Sequence, residues 1–200
     1  MEQQHLPFNG QIADPWPNLI CKYHYDFDWS KLKDKVYDHI NSTKGSTVLE
    51  HGDSKSSIAS GYTDKGRILD WPEIREFVSW LEPILEFQWS HHGYVYVEKR
   101  IGEVWFNRHG MGGQTLEHHH NGIGLVLTAY LQLPPESGFI EFRDPLEYHK
   151  ANSPIIPEHQ LWKPVECATN DVLIFPGWLK HRTQASNSRD DRIVMTMNIR

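Results

Sequence analysis

Cysteine is nearly missing from this chain: Cys21 and Cys167 stand far apart, and no CxxC pair occurs. That excludes a disulfide framework and a thiolate zinc site, and it fits a reducing cytoplasm. No apolar run approaches the roughly 18 residues of a membrane-spanning helix. The opening Met1-Glu2-Gln3-Gln4-His5 also lacks the charged start and apolar stretch of an export signal. A soluble, cytoplasmic protein with no membrane partner is expected. Basic stripes and polybasic tails are missing too, the formal charge of −6 being spread along the chain, which argues against a nucleic-acid partner. Internal repeats and low-complexity segments are lacking.

What is present suffices for one compact domain over residues 1–200, with 38% hydrophobic and 12% aromatic residues to fill a core. The fold class expected is α+β: a double-stranded β-helix, or jelly roll, with supporting helices before it. Residues 1–93 read as helical support and 94–200 as the β core. Ile20 to Phe27 reads as an edge strand, and Asp28 as the cap of a helix over about 29–42 with the stripe Leu32, Val36, Tyr37 and Ile40. The Ser-, Gly-, Asp- and Lys-rich stretch from Gly45 to Gly66 is too long for an ordinary connection and reads as a mobile lid or a disordered excursion. Pro72 opens a second helix to about His91, which Pro83 is expected to kink.

From Tyr94 the hydrophobic period becomes two. Tyr94–Val97, Val104–Asn107, Gly124–Leu133, Gly138–Phe142, Val165–Ala168, Asp171–Phe175 and Arg192–Ile199 all read as strands.

Thirteen histidines are many for this length, but most, His109 among them, lack a partner at metal spacing and read as surface or hydrogen-bonded residues. His118 and His120 differ. On a strand, residues i and i+2 share a face, so this pair can converge on one ion while His119 points away. His181 follows 61 residues after His120, at the end of Phe175-Pro176-Gly177-Trp178-Leu179-Lys180. A close pair plus a distant third is the sequence form of a facial triad, which leaves positions open on iron.

The order Trp105-Phe106-Asn107, His118-His119-His120, Tyr130 to Pro134, Ser137 to Pro145, Asp171 to His181 and Arg192 to Asn198 resembles the 2-oxoglutarate and iron(II)-dependent oxygenase superfamily. Within it the likeness is to small prolyl-hydroxylase-like oxygenases of bacteria and phages, over about residues 94–200. The resemblance implies Fe(II) as metal cofactor and 2-oxoglutarate as cosubstrate. His118, His120 and His181 would be the catalytic metal ligands and Arg192 the anchor of 2-oxoglutarate, with Asn107 and Tyr130 as further cosubstrate contacts. Thr196 and Asn198 share the facing of Arg192 and would help line the pocket. The implied reaction hydroxylates a small-molecule or peptide substrate, with release of succinate and carbon dioxide.

One absence bears on this likeness. The superfamily at large carries HxD or HxE, and here His120 occupies the carboxylate position. Three neutral imidazoles leave bound Fe(II) at net +2 where two and a carboxylate leave +1. Glu117 and Asp144 are alternative carboxylate ligands. Two alternative classes remain at this stage: a cupin-type three-His dioxygenase that uses no 2-oxoglutarate, and a non-catalytic jelly-roll binding protein.

Overall fold

The computed structural model describes residues 19–44, 47–60, 68–94, 97–147 and 161–200. Three antiparallel sheets form around the predicted β core. The largest has six strands in the order β1 (Cys21–His24), β9 (Asp171–Pro176), β6 (Leu125–Gln132), β11 (Arg192–Ile199), β4 (Ile101–His109) and β3 (Ser54–Ser56). Facing it is a three-stranded sheet in the order β10 (His181–Thr183), β7 (Ile140–Arg143), β8 (Trp162–Val165). β2 (Glu50–His51) pairs with β5 (Gln114–Thr115) at the side.

The period of two in these strands divides the large sheet cleanly. Ile193, Met195, Met197 and Ile199 of β11 join Leu125, Leu127, Ala129 and Leu131 of β6 and Val104 and Phe106 of β4 in one apolar cluster with the helices. α1 (Trp29–Ser42) contributes Leu32, Val36 and Ile40 to it, and α2 (Pro72–His91) contributes Ile74, Phe77, Leu81 and Leu85. The opposite parity, Arg192, Val194, Thr196 and Asn198 on β11 with Asn107 on β4 and Tyr130 on β6, lines the interior between the sheets. The fold thus puts aliphatic residues toward the helices and most polar ones toward a cavity.

Phe106 lies at the centre of the helix-side layer, fully buried and stacked on Trp71 with ring centroids 5.6 Å apart. Phe106→Ala is expected to cost about 3–5 kcal/mol of unfolding free energy, read from urea denaturation, because apolar transfer and cavity terms add at a site that cannot collapse.

Several boundaries differ from the sequence reading. Asp28 precedes α1, but its carboxylate accepts from the Ser30 hydroxyl at 2.6 Å and pairs with Lys31 at 2.8 Å instead of capping backbone N–H groups. α2 runs through Pro83 as one helix. The last predicted short strand before β9 lies earlier, at Trp162–Val165, where it pairs with β7. Val95 and Tyr96 of the predicted Tyr94–Val97 strand fall outside the described residues, and β4 begins at Ile101. Residues 47–60, within the stretch read as a lid or an excursion, carry β2, β3 and a 3₁₀ turn; β2 and β3 bond to β5 and β4 and form one wall of the cavity. Residues 45–46 and 61–66 of that stretch lie outside the described residues.

Candidate metal and cosubstrate site

His118 and His181 meet because their backbones form an isolated antiparallel bridge. Each N–H donates to the other's carbonyl at 3.0 Å. The HxH segment is therefore extended and bonded to the start of β10, not part of a longer strand as its spacing predicts. His120 is set two residues further on, its N–H donating to the Gly177 carbonyl at 2.8 Å. Gly177 is required there, since a Cβ would meet the Ile123 carbonyl oxygen at 2.3 Å. His119 turns outward, exposed and bonded to Asn121 at 2.7 Å.

One ring nitrogen from each of His118, His120 and His181 lies within 4.8 Å of the other two. The tautomers follow from the partners. Nδ1 of His118 lies 2.8 Å from the Leu116 carbonyl and Nδ1 of His181 lies 2.8 Å from the Leu179 carbonyl. A carbonyl only accepts, so both Nδ1 atoms carry hydrogen and both Nε2 atoms keep a lone pair. Nδ1 of His120 sits 2.6 Å from Asn198 Oδ1, and His120 Nε2 is buried with no hydrogen-bond partner. That orphaned nitrogen, in a trio of converging imidazoles, fits a metal ion. Burial holds all three rings toward the neutral form, lowering His118, bringing His120 down to about 4 and placing His181 well below its usual range.

Neither alternative carboxylate joins the trio. Glu117 pairs with Arg143 at 2.7 Å and Lys180 at 3.5 Å on the outer surface, and Asp144 Oδ1 accepts from the Leu146 N–H. Trp105 stacks on His120 at 5.9 Å, and Phe175 meets His181 edge-on at 4.9 Å, so aromatic rings fix two of the three imidazole planes.

The trio opens on a cavity of about 380 Å³. Arg192 lines it although only 1% exposed. Its Nη1 donates to the Ser137 and Gly138 carbonyls at 2.5 and 3.0 Å, Nη2 to the Gln184 carbonyl at 3.3 Å, and Nε to His109 Nδ1 at 3.4 Å. These acceptors orient the fork but carry no negative charge, and among the described residues no carboxylate pairs with it. Burial accordingly lowers the guanidinium to about 10. A buried cation without a counter-ion is costly, and an anionic ligand offsets that cost. Tyr130 lies within the electrostatic reach of Arg192, its phenol pushed well above its usual range by burial. Asn107 is on the same wall, its amide donating to Thr196 at 3.2 Å.

His109 is the site residue that sequence reading set aside as isolated. It is buried opposite Arg192 in the β4–β11 register, and its Nε2 lies 2.8 Å from Thr115 Oγ1. Strand parity with Asn107 was the available signal.

A double-stranded β-helix holding three converging imidazoles and a buried arginine narrows the class to metal-binding jelly-roll proteins. Residues 103–198 match the family model described as "Putative 2OG-Fe(II) oxygenase". Over that segment, just under half of the chain, the sequence matches the 2-oxoglutarate- and Fe(II)-dependent oxygenases, oxidoreductases whose metal is iron(II) and whose cosubstrate is 2-oxoglutarate. That match favours the oxygenases over the cupin-type and non-catalytic alternatives. Among curated proteins, none matches the sequence.

Similar solved structures share the fold. A Pseudomonas putida prolyl-4-hydroxylase is 10% identical with a TM-score of 0.61, over 91% of this chain and 92% of that one. The viral collagen prolyl hydroxylase of Paramecium Bursaria Chlorella virus-1, in its 2-oxoglutarate complex, is 13% identical with a TM-score of 0.59, over 91% and 96%. HygX from Streptomyces hygroscopicus, with nickel, 2-oxoglutarate and hygromycin B bound, is 13% identical with a TM-score of 0.54, over 90% and 82%. No helix among the described residues is long and apolar enough to cross a membrane.

Proposed function

We propose that His118, His120 and His181 hold Fe(II) through Nε2, that Arg192 binds the distal carboxylate of 2-oxoglutarate, and that the enzyme hydroxylates a small-molecule or peptide substrate. The observation that carries this reading is the pairing, in one cavity, of three converging imidazoles with a buried guanidinium that has no counter-ion among the described residues. When bound, iron and 2-oxoglutarate would supply oxidative decarboxylation by O2 to succinate and carbon dioxide, one oxygen atom of O2 entering succinate and the other a substrate C–H bond.

The chain's own residues bind and orient. The backbone carbonyls of Ser137, Gly138 and Gln184 hold the Arg192 fork in place before any ligand arrives, so little is lost in ordering it. Tyr130 and Asn107 offer an O–H and an amide to the cosubstrate from the same interior face. Glu50, Ser54 and Lys55, from the stretch preceding the β core, also line the cavity and would contact the substrate. The same reading treats residues 1–200 as one domain, because a single apolar cluster joins α1 and α2 to the large sheet.

Anaerobic addition of Fe(II) and 2-oxoglutarate to the metal-free protein is expected to give a visible charge-transfer band, and admission of oxygen to give succinate. Protein that binds iron but yields neither band nor succinate removes 2-oxoglutarate from the reading.

A further inference from the structure

We propose that Asn198 and Glu103 are positioning residues for His120, and that Glu103 returns, one amide away from the site, the negative charge that the His118-His119-His120 triplet lacks. This inference rests on the reading of the three histidines as a metal site.

His120 is held differently from its partners. The Nδ1 hydrogens of His118 and His181 go to carbonyls of their own chain two residues earlier. His120 Nδ1 instead meets a side chain, Asn198 Oδ1, at 2.6 Å, and Asn198 Nδ2 donates to Glu103 Oε2 at 3.2 Å. The direction of this chain is fixed from its far end. A carboxylate only accepts, so the amide must turn its NH₂ toward Glu103 and its oxygen toward His120. The imidazole must then carry its hydrogen on Nδ1, leaving the Nε2 lone pair for the metal. The anionic state of Glu103 thus selects the tautomer of His120 through the orientation of one amide.

The backbone is shaped for this contact. Along β11 and β4 the register runs evenly from Arg192 opposite His109 to Met197 opposite Val104, and then Ile199 faces Ile101. Gly102 and Glu103 therefore both oppose Asn198, a bulge that places the carboxylate beside the amide.

Glu103 is 4% exposed, and its other oxygen accepts from Arg200 Nη2 at 2.7 Å. The Arg200 side chain is 55% exposed, so water screens the cation while the carboxylate stays buried on the site side. Three imidazoles leave bound Fe(II) one charge more positive than two imidazoles and a carboxylate. An anion at second remove offsets part of that difference.

The test uses N198L, E103Q and R200M in the full chain, with thermal midpoints confirming folding. Long-range proton–nitrogen spectra of metal-free, ¹⁵N-histidine-labelled protein report the His120 tautomer, and calorimetry with Ni(II) reports metal affinity. Wild-type protein and R200M are expected to show His120 with hydrogen on Nδ1. N198L and E103Q are expected to show a mixture of tautomers. Ni(II) affinity is expected to fall by about 10- to 100-fold in N198L and by roughly tenfold in E103Q, and to stay near wild type in R200M. A tautomer or a Ni(II) affinity that neither N198L nor E103Q changes overturns the proposal. So does an R200M loss equal to that of E103Q, which would make Glu103 a tether for Arg200. Wild-type protein that takes up no Ni(II) sinks the metal-site reading instead, and the tautomer spectra then decide the positioning role alone.

Discussion

His181→Ala protein is expected to emerge from anaerobic loading without stoichiometric iron, and its melting temperature should not rise when Fe(II) or Ni(II) is added. Wild-type protein should take up one metal ion per chain and melt higher with it, because a ligand that binds only the folded state stabilises that state. Four-ligand protein sites bind zinc with about 10–16 kcal/mol, so one imidazole carries roughly 3 kcal/mol, a loss of about a hundredfold in metal affinity. His181 also packs against Phe175 and Phe142. Its removal therefore costs stability in the metal-free protein as well, and the metal-induced shift, not the absolute melting temperature, is the diagnostic readout. His119→Ala serves as the control. That ring is exposed and bonded only to Asn121 among the described residues, and its loss should leave metal content unchanged.

Arg192→Met should separate cosubstrate from metal. The substitution keeps much of the side-chain volume and removes the charge. Truncating one partner of a buried, hydrogen-bonded ion pair costs about 2–5 kcal/mol, so 2-oxoglutarate affinity in the presence of Ni(II) is expected to fall by roughly two to three orders of magnitude. Metal affinity should stay within about threefold, since Arg192 bonds to carbonyls and to His109, not to the three imidazoles. Arg192→Lys is expected to fall between the two proteins, because an ammonium keeps the charge but loses the fork that the Ser137, Gly138 and Gln184 carbonyls orient. Equal 2-oxoglutarate affinity in wild type and Arg192→Met would remove the arginine from the cosubstrate site.

Much of the fold was legible because it is written in parity. Arg192–Ile199 alternates between polar or cavity-facing residues and large aliphatic ones, and that alternation sends Arg192, Thr196 and Asn198 into the cavity and Ile193, Met195 and Met197 toward the helices. The three histidines were legible from spacing, although their meeting depends on the His118–His181 bridge and not on one continuous strand.

What escaped the sequence depends on contacts between distant segments. Nothing near Ser54 announces that Ser54–Ser56 will pair with Ser56 opposite Asn107, so its polar surroundings read as a lid or an excursion. Asp28 has the residue type of a helix cap, but Ser30 and Lys31 compete for its carboxylate. Glu103 and Asn198 are separated by 95 positions and meet only through the bulge between β4 and β11. His109 looked isolated for the same reason, since its partner Arg192 stands across the sheet.

β11 lies between β6 and β4 in the large sheet and follows both of them in the chain. Before it is synthesised, β1, β9 and β6 on one side and β4 and β3 on the other lack the strand that joins them. Closing this sheet joins segments far apart in sequence, the kind of pairing that makes folding slow. The strand that completes the core is also the one that carries Arg192 and Asn198. A chain whose last strand has not docked therefore has neither its proposed cosubstrate anchor nor the proposed support of His120, although all three histidines are already present.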